Sequence, residues 1–558
     1  MKDDTSSQKG NNNKEQIKTE VSRSGWGPIV HHPIYRALWI ATVISNIGSS
    51  MHDTGAMWLM TSLSDSAFLV ALIPAAASLA IVVMALPGGA LGDVLNRNKL
   101  LLISQGYMVT IASALAIVTL FNTTTPLLLV LLTFALGLGA ALSMPLLIQL
   151  SLKMVSKQES QSTITLGGVA INIGRAVGPT VGGFIIALSG PWAVFLINAL
   201  TFISIIIVLK KWSSSDPQEQ NTTLPPEHIT GAIRAGIRYL KHSPDVQSVL
   251  IRATAFTIFG SALFALLPSL VRNTLGFGSA EYGLLLGALG IGAIIGGTIM
   301  LPKIRQIISI DWLVVAASIL FAITMILLSQ LDNFFQIFVV MIGSGVAWIT
   351  LLSSFNFSAF KAGNKWVAMR LLAVYQAVFQ GGIAVGSLIW GQVSIYSDIP
   401  TALVLSAIGL MIGLITFTRY RLIKKGEIDK TSYTHWPIPN VIFESGREQK
   451  AVMIEIKYKI DPVNKKEFET IMKEWSRIRK RDGAIHWGLY YDGENPSEFI
   501  ETFISESWEE HLRQHERFTV ADREIEDKVR SFHIDKNPPM VTHFIAASLR
   551  REKEKKAR

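Results

Sequence analysis

Residues 174–183 read Gly174-Arg175-Ala176-Val177-Gly178-Pro179-Thr180-Val181-Gly182-Gly183, a run of helix-weakening residues inside an apolar segment. Gly174, Gly178 and Gly182 recur every fourth residue. On a helix that spacing lines them along one face and leaves a groove without side chains, where another helix can approach backbone to backbone. Pro179 removes one helical N–H and bends the segment beside the groove. Arg175 sits roughly 100° away on the same helix, by the 3.6-residue period. A smooth, bent face with a charge beside it is what a moving part in a membrane requires.

The rest of the chain agrees with a bilayer as solvent. Of 558 residues, 49% are hydrophobic and 16% charged, with a mean hydropathy of +0.38, which is too apolar for an ordinary soluble enzyme. The absence of cysteine excludes a disulfide framework, thiolate metal sites and a cysteine nucleophile. The net charge of +10 gathers in short loops and in the C-terminal tail, so no nucleic-acid partner is expected. Residues 1–30 are polar and read as a disordered cytosolic tail rather than a cleavable signal. No Gly-x-x-x-x-Gly-Lys-Ser/Thr loop occurs, which argues against direct ATP drive, and no cofactor is expected.

Apolar runs of about 20 residues predict twelve spans, near 35–62, 67–90, 99–121, 126–149, 162–188, 192–210, 247–271, 280–301, 311–330, 334–358, 369–395 and 400–420. Alternate loops carry the basic residues: Arg97 and Lys99, Lys153 and Lys157, Lys210 and Lys211, Lys303 and Arg305, Lys361 and Lys365, then Arg419 to Lys425. The loops between them are nearly free of base. This bias places both termini in the cytosol. Six spans (31–212), a polar connection (213–246) and six more spans (247–425) make two six-helix bundles. In the connection, Ile229, Ile233, Ile237 and Leu240 face one way and Arg234, Arg238 and Lys241 another, as in a helix lying on the inner leaflet.

After a linker (426–447) the composition becomes that of a soluble domain (448–546), followed by a basic tail (547–558). Val452, Ile454, Ile456, Tyr458 and Ile460 alternate as a strand, and Phe468, Ile471, Met472, Trp475 and Ile478 form a helical stripe. Strands near 485–492 and 498–506 flank a turn at 492–496, a charged helix starts at Trp508, and a last strand lies near 541–546. This βαββαβ order predicts a ferredoxin-like α+β sandwich. Phe499 and Phe503 lie opposite Ile500 and Ile504, so both sheet faces call for cover, and a second copy or the membrane domain is expected to supply it. His511 and His515 stand at i,i+4 with no third ligand evident, so a solvated helix face is expected and no metal site.

Two motifs carry a resemblance. Between spans two and three stands Gly89-Ala90-Leu91-Gly92-Asp93-Val94-Leu95-Asn96-Arg97-Asn98-Lys99. Its glycines allow a tight helical turn, Asn96 is suited to a left-handed turn conformation, and Asp93 and Arg97 place charges at the membrane edge. The stretch resembles the first-loop signature of the major facilitator superfamily, with Asn96 in the usual glycine position. Gly174, Gly178, Pro179, Gly182 and Gly183 resemble that superfamily's fifth-helix antiporter signature. Asn46-Ile47-Gly48 with Trp58-Leu59-Met60, Phe195 to Ala199, and Glu510 to Arg517 are most similar to its transmembrane secretion effector group, the enterobactin exporter-like branch. Two departures stand out. Thr133 occupies the fourth span where many drug antiporters carry an arginine, and Leu301 to Arg305, the corresponding loop of the second half, has no acidic residue.

The resemblance implies an all-α polytopic fold in which the fifth and eighth helices meet between the halves. Span eight offers Gly283 and Gly287, then Gly292 and Gly296, as the facing seam, and Gly382 and Gly386 of span eleven are expected to face span two. It also implies that Asp93 locks onto the N-terminal end of helix eleven near 368–371, an interaction worth about 0.3–2 kcal/mol. Ionisable groups inside spans default to function. Asp53 and Arg175 are the clearest two, and the 1.5 Å rise puts them at similar depths. They are expected to approach each other, with Asp53 exchanging protons or contacting substrate. Asn46, Asn172, Asn198, Gln376 and Gln380 are expected to line the cavity or to bond between helices.

The expectation is therefore a plasma-membrane secondary transporter of bacterial type, exporting a small siderophore-like or drug-like molecule by proton antiport. A nutrient importer of the same fold, and a membrane-anchored monooxygenase-like enzyme residing after Lys450, are the alternatives. Asp93→Asn is predicted to lower transport while leaving expression intact, as measured by substrate flux and by immunoblot of the membrane fraction.

Overall fold

The structure, a computed structural model, describes residues 25–85, 87, 96–212, 236, 238–364, 367–422 and 450–547. Gly89 and Asp93, the tail before residue 25, most of the amphipathic stretch at 229–241, the linker and the final basic residues lie outside them. The described chain divides into two compact units. The first comprises described residues within 1–218, 250–357 and 373–421; the second comprises those within 219–249, 358–372 and 422–558.

The first unit is helical. The long helices, of which α7, α10 and α11 have one end in the second unit, are α1 (Pro33–Leu63), α2 (Ala67–Met84), α3 (Arg97–Leu120), α4 (Pro126–Lys153), α5 (Ser160–Ser189), α6 (Pro191–Lys211), α7 (Pro244–Ser269), α8 (Ser279–Ile295), α9 (Ile310–Leu328), α10 (Phe334–Ala362), α11 (Ala368–Tyr396) and α12 (Ile399–Gly413). Among the described residues, eleven helices with their short extensions are long and apolar enough to cross a membrane. α1 is not one of them. It is 31 residues long, and Arg36, Asn46, His52 and Asp53 set its composition apart.

Local chemistry fixes the ends. Proline occupies the first turn of α1, α4, α6 and α12, where its missing N–H costs nothing. Thr125 caps α4 by accepting from the Leu128 N–H, and Asp398 caps α12 by accepting from the Thr401 N–H at 2.6 Å. The left-handed conformation expected of Asn96 is not found: its backbone is extended, at φ −61° and ψ 112°. Its side chain instead accepts from the N–H groups of Asn98 and Lys99, at 3.1 and 3.2 Å, satisfying two orphan donors of α3. Gly190, at φ 87°, allows the sharp reversal from α5 into α6.

Packing follows the small residues. α1 lies against α5 and α6, α3 against α4 and α6, and α2 against α4. In the second half α9 pairs with α12, while Phe256 of α7 packs on Phe321 of α9 and Trp348 of α10. α8 passes through a π-helical turn at Gly296–Met300, where one extra residue per turn re-aims the helix.

The second unit holds a four-stranded sheet: β1 (Val452–Lys459), β2 (His486–Tyr491), β3 (Glu498–Ser505) and β4 (Met540–Ile545). The order is β2-β3-β1-β4, with every neighbour antiparallel. α13 (Lys465–Asp482) separates β1 from β2. The single helix expected from Trp508 is two, α14 (Trp508–Arg517) and α15 (Val520–Ser531). The break has a local cause: Phe518 turns extended, and Thr519 with Asp522 forms a capping box that starts a new helix. Phe499 and Phe503 face the helices and are fully buried beside Phe468, Met472 and Trp475.

At the centre of that core sits Glu501, 0% exposed. Its carboxylate accepts from the Tyr458 hydroxyl (2.9 Å), the Trp475 and Trp487 indoles (3.3 and 2.9 Å) and Arg479 Nε (3.2 Å). A buried charge is tolerated only with such complete pairing. His511, His515 and His543 pack nearby, with the Nε2 atoms of the first two 3.3 Å apart. Burial lowers His511 to about 3 and His515 to about 4, so both rings are neutral at physiological pH. The solvated face expected for this pair is therefore a buried one, because α14 turns it toward β3 and β4. Glu501→Ala leaves Arg479 and two indoles unpaired and is predicted to destabilise the domain by about 3–5 kcal/mol; Glu501→Gln should cost less. Limited proteolysis of the full chain along a urea series, read on the fragment carrying 450–547, measures both.

Candidate functional site

The helical unit has a near side, where α1 begins, and a far side, where it ends. α5 runs between α1 and α8, and its glycines serve both neighbours. A Cβ at Gly174 would meet the Asn46 backbone at 2.7 Å, and one at Gly178 would meet Ser50 Cβ and the Ile47 carbonyl at 2.6 and 2.7 Å. Gly182 follows along Met51. The four-residue groove therefore holds α1, not α8 as its sequence suggested. The opposite face of α5 takes α8: Gly183 lies against Ser279 and Gly283, Pro179 against Gly283, Thr180 against Gly287 and Ala176 against Gly290. Gly292 and Gly296 turn away from this seam and receive α10 at Ile342, Val346 and Ile349. The reason is periodicity: positions four apart stay on one face, whereas the nine residues from Gly283 to Gly292 carry the chain about half a turn round to the opposite face.

Gly382 and Gly386 likewise do not face α2. They pack on α7, against Thr257, Ile258 and Ser261, and it is Gly391 that meets Ala71 and Phe68 of α2. Gly382, Gly386 and Gly391 repeat the spacing of Gly174, Gly178 and Gly183. α11 thus stands to α7 and α2 as α5 stands to α1 and α8.

Asp53 of α1 and Arg175 of α5 are solvent-accessible yet lie deep in the bundle, each within electrostatic reach of the other. Asp53 also acts on Tyr282 of α8. Tyr282 stacks on Trp58 at 5.6 Å and donates its hydroxyl hydrogen to Met57 Sδ at 3.3 Å. Farther out, Arg272 lies 5.5 Å over the Trp58 ring and donates to Thr61 and Ser62 at the end of α1. A carboxylate, a guanidinium and an aromatic pair thus meet at the seam of three helices, with the halves tied together on the far side. Asn46 belongs to the α1–α5 contact, and Asn172, Gln376 and Gln380 are half-buried on α5 and α11. Asn198 is fully buried and accepts from Thr201 within α6, beside Gly48 of α1, so it serves packing. Arg97 lies in the first turn of α3.

Three features escaped sequence reasoning. Arg252 of α7 and Asp311 of α9 form a buried ion pair, with Arg252 also 5.5 Å over Phe417. Both charges sit within predicted spans, and their presence there was the available signal. Glu159, just before α5, meets His31 and His32 at 3.3 and 2.8 Å and accepts from Ser156 at 2.7 Å. His52 is 1% exposed against Phe195, and neither of its ring nitrogens has a hydrogen-bond partner among the described residues.

A sequence model of the transmembrane secretion effector family matches residues 23–552. The enterobactin exporter EntS of Shigella boydii serotype 4 (strain Sb227) is 27% identical over 266 residues, covering 48% of this chain. That of Escherichia coli O157:H7 (strain EC4115 / EHEC) is 26% identical over the same length. The chain spans 62% of the length of these relatives. Among solved structures, a bacterial homologue of the human lysosomal transporter Spinster, in an inward-facing and unoccupied conformation, superimposes with a TM-score of 0.56 at 13% identity, over 70% of this chain and 96% of that one. A POT family transporter in complex with 5-aminolevulinic acid gives 0.58 at 10% identity, over 72% and 98%. These likenesses concern the fold.

The seam makes a mechanical prediction. A side chain at Gly290 would strike the Ala176 backbone, whereas a Cβ at Gly297 meets only Ile349 Cγ1 at 3.3 Å. Gly290→Val is expected to destabilise the bundle by about 1–3 kcal/mol or more and Gly297→Ala to leave it near wild type, as read from melting in detergent.

Proposed function

This chain belongs to the transmembrane secretion effector family of the major facilitator superfamily, and on that premise we propose that it exports a small organic molecule from the bacterial cytoplasm by proton antiport. The observation that carries this reading is the placement of Asp53 and Arg175, accessible and mutually charged at the α1–α5–α8 seam. The two charges offset one another, and a proton on Asp53 or an anionic substrate at Arg175 changes that balance. One site can then exchange protons and substrate by turns, which is the requirement of antiport. The relatives exporting enterobactin favour a siderophore-like substrate, with drug-like molecules as the neighbouring class.

In this reading α1 is a twelfth spanning helix and the near side faces the cytosol, with both termini there, because the basic loops gather on it. The far-side contacts through Arg272, Trp58 and Gly391 then seal the periplasmic face, leaving the site to be reached from the cytosol. α5 and α8 form the surface on which the halves rock: backbone contact without interdigitating side chains lowers the cost of sliding. Asp93 and Gly89, with Arg97, keep their proposed role as the cytosolic gate.

The strand order β2-β3-β1-β4 supports a ferredoxin-like sandwich for the C-terminal domain. Its uncovered sheet face carries Tyr490, Met540 and Phe544, all exposed, around Glu455 and Lys457. A two-fold axis across β1 would set each Glu455 opposite the Lys457 of a second copy, so we assign this face to dimerisation.

Inside-out membrane vesicles test the main reading. The wild type should accumulate the exported compound, from a panel of siderophores and drugs, only under a proton gradient. Asp53→Asn should lose that dependence, by a factor of ten or so if the pair biases the cycle by about 1.4 kcal/mol. Gradient-driven accumulation by the variant at the wild-type rate would sink the coupling role.

A further inference from the structure

The second unit contains more than a soluble domain. Residues at the end of the connection, including Arg238 and Tyr239, and the segment between α10 and α11, including Asn364, cluster with it. The contacts are specific and buried. Arg238 Nη2 donates to Glu510 Oε1 of α14 at 2.8 Å, both side chains being largely shielded from water. The same carboxylate receives Arg517 through both guanidinium nitrogens, at 2.6 and 3.2 Å, and Arg517 also donates to the Asp482 carbonyl. Glu510 is therefore shared between two cations of its own domain, Arg517 and, at 3.9 Å, Arg513, and one of the connection.

A second contact runs beside the first. The Tyr239 ring is 1% exposed. Its hydroxyl donates to Asn364 Oδ1 at 3.2 Å and accepts from the Asn364 N–H at 3.1 Å. Asn364 Nδ2 in turn reaches the Arg517 carbonyl at 3.5 Å. Arg481, locked between Asp482 and Asp522, lies 5.7 Å over the Tyr239 ring. Burial pushes the Tyr239 hydroxyl up to about 12, so it works as a neutral hydrogen-bonding pin.

We propose that the C-terminal domain is an intramolecular tie. It fastens the connection between the two halves to the α10–α11 segment, with Arg238–Glu510 and Tyr239–Asn364 as its two fasteners, and thereby controls how freely the near-side ends of α7, α10 and α11 move. The chain enters α7 directly after the first fastener and turns from α10 into α11 at the second. In a rocking transporter those ends must shift between states, so a domain gripping both sets the energy of that shift. A flexible tether would need no buried charge pair and no pinned tyrosine. A domain present for its own enzymatic activity would need neither contact. The consequence for the transport cycle rests on the rocking-transporter reading given above; the tie itself does not.

The test uses the full chain in lipid nanodiscs, with the variants confined to the transporter side so that the domain's own Glu510–Arg517 pair survives. Arg238→Ala with Tyr239→Phe removes one charge and one hydroxyl. Hydrogen–deuterium exchange should quicken about fivefold or more both in 238–249 and in 358–364, with β1 and β3 unchanged. Unaltered exchange in 358–364 overturns the tie. Loss of protection in the strands would show that the double variant has unfolded the domain; the milder Tyr239→Phe then decides, by quickened exchange in 358–364 for the tie or unaltered exchange there against it. The natural absence of cysteine allows a second reading. With Asn172→Cys as a single reporter on α5, alkylation by a membrane-impermeant maleimide should change about fivefold or more when the tie is loosened. Unchanged alkylation alongside quickened exchange overturns the control of motion while leaving the contacts real. A wild type that transports nothing in vesicles would overturn the exporter reading, and the exchange result would still decide the tie.

Discussion

The close approach of α5 to two neighbours is the constraint on which the helical unit depends. Every fourth residue on one face is glycine, so α1 lies against its backbone at Asn46, Ile47 and Ser50. The opposite face, through Gly183, Pro179 and Ala176, takes α8. Without side chains to interdigitate, such contacts draw their energy from dispersion between closely spaced backbones. They fix distance strongly and sliding weakly. A helix held in this way on both sides resists separation, and Arg175 lies on it next to Gly174 of the α1 contact.

The same device recurs in the second half. Gly382 and Gly386 hold α11 against α7, and Gly391 passes it to α2. The two halves therefore share a geometry as well as a helix count. Each supplies one helix that is fastened by glycines within its own half and meets the other half through the glycine five residues farther on. This repeat is present in the sequence as matched spacing, masked because the residues between the glycines differ.

Periodicity and charge made the architecture legible: apolar runs located the helices, alternation located β1, and the small residues marked the close contacts. Partners were harder to read. A four-residue glycine repeat says that a helix comes near without saying which one, and Gly174 and Gly292 each received a neighbour other than the expected one. The Arg252–Asp311 pair was missed because each charge looked alone in its span, and only the fold brings α7 beside α9. The helix break in the C-terminal domain was readable at Thr519 and Asp522, whose capping spacing outweighs the continuous charge of that stretch. The node at Glu501 was not, since four donors from three elements converge on it only once the sheet is built.

The two charge pairs of the helical unit differ in contact and in exposure. Arg252 and Asp311 touch directly and are shut off from water. The contact joins α7 to α9, and replacing Arg252 or Asp311 would remove a buried ion pair between them. Asp53 and Arg175 are accessible and interact at longer range. On the antiport reading proposed above, a pair of this second kind would exchange its counter-charge for a proton or a bound anion. The fold thus places its direct, shielded pair between two helices of one half and its longer-range, accessible pair at the seam with the other half.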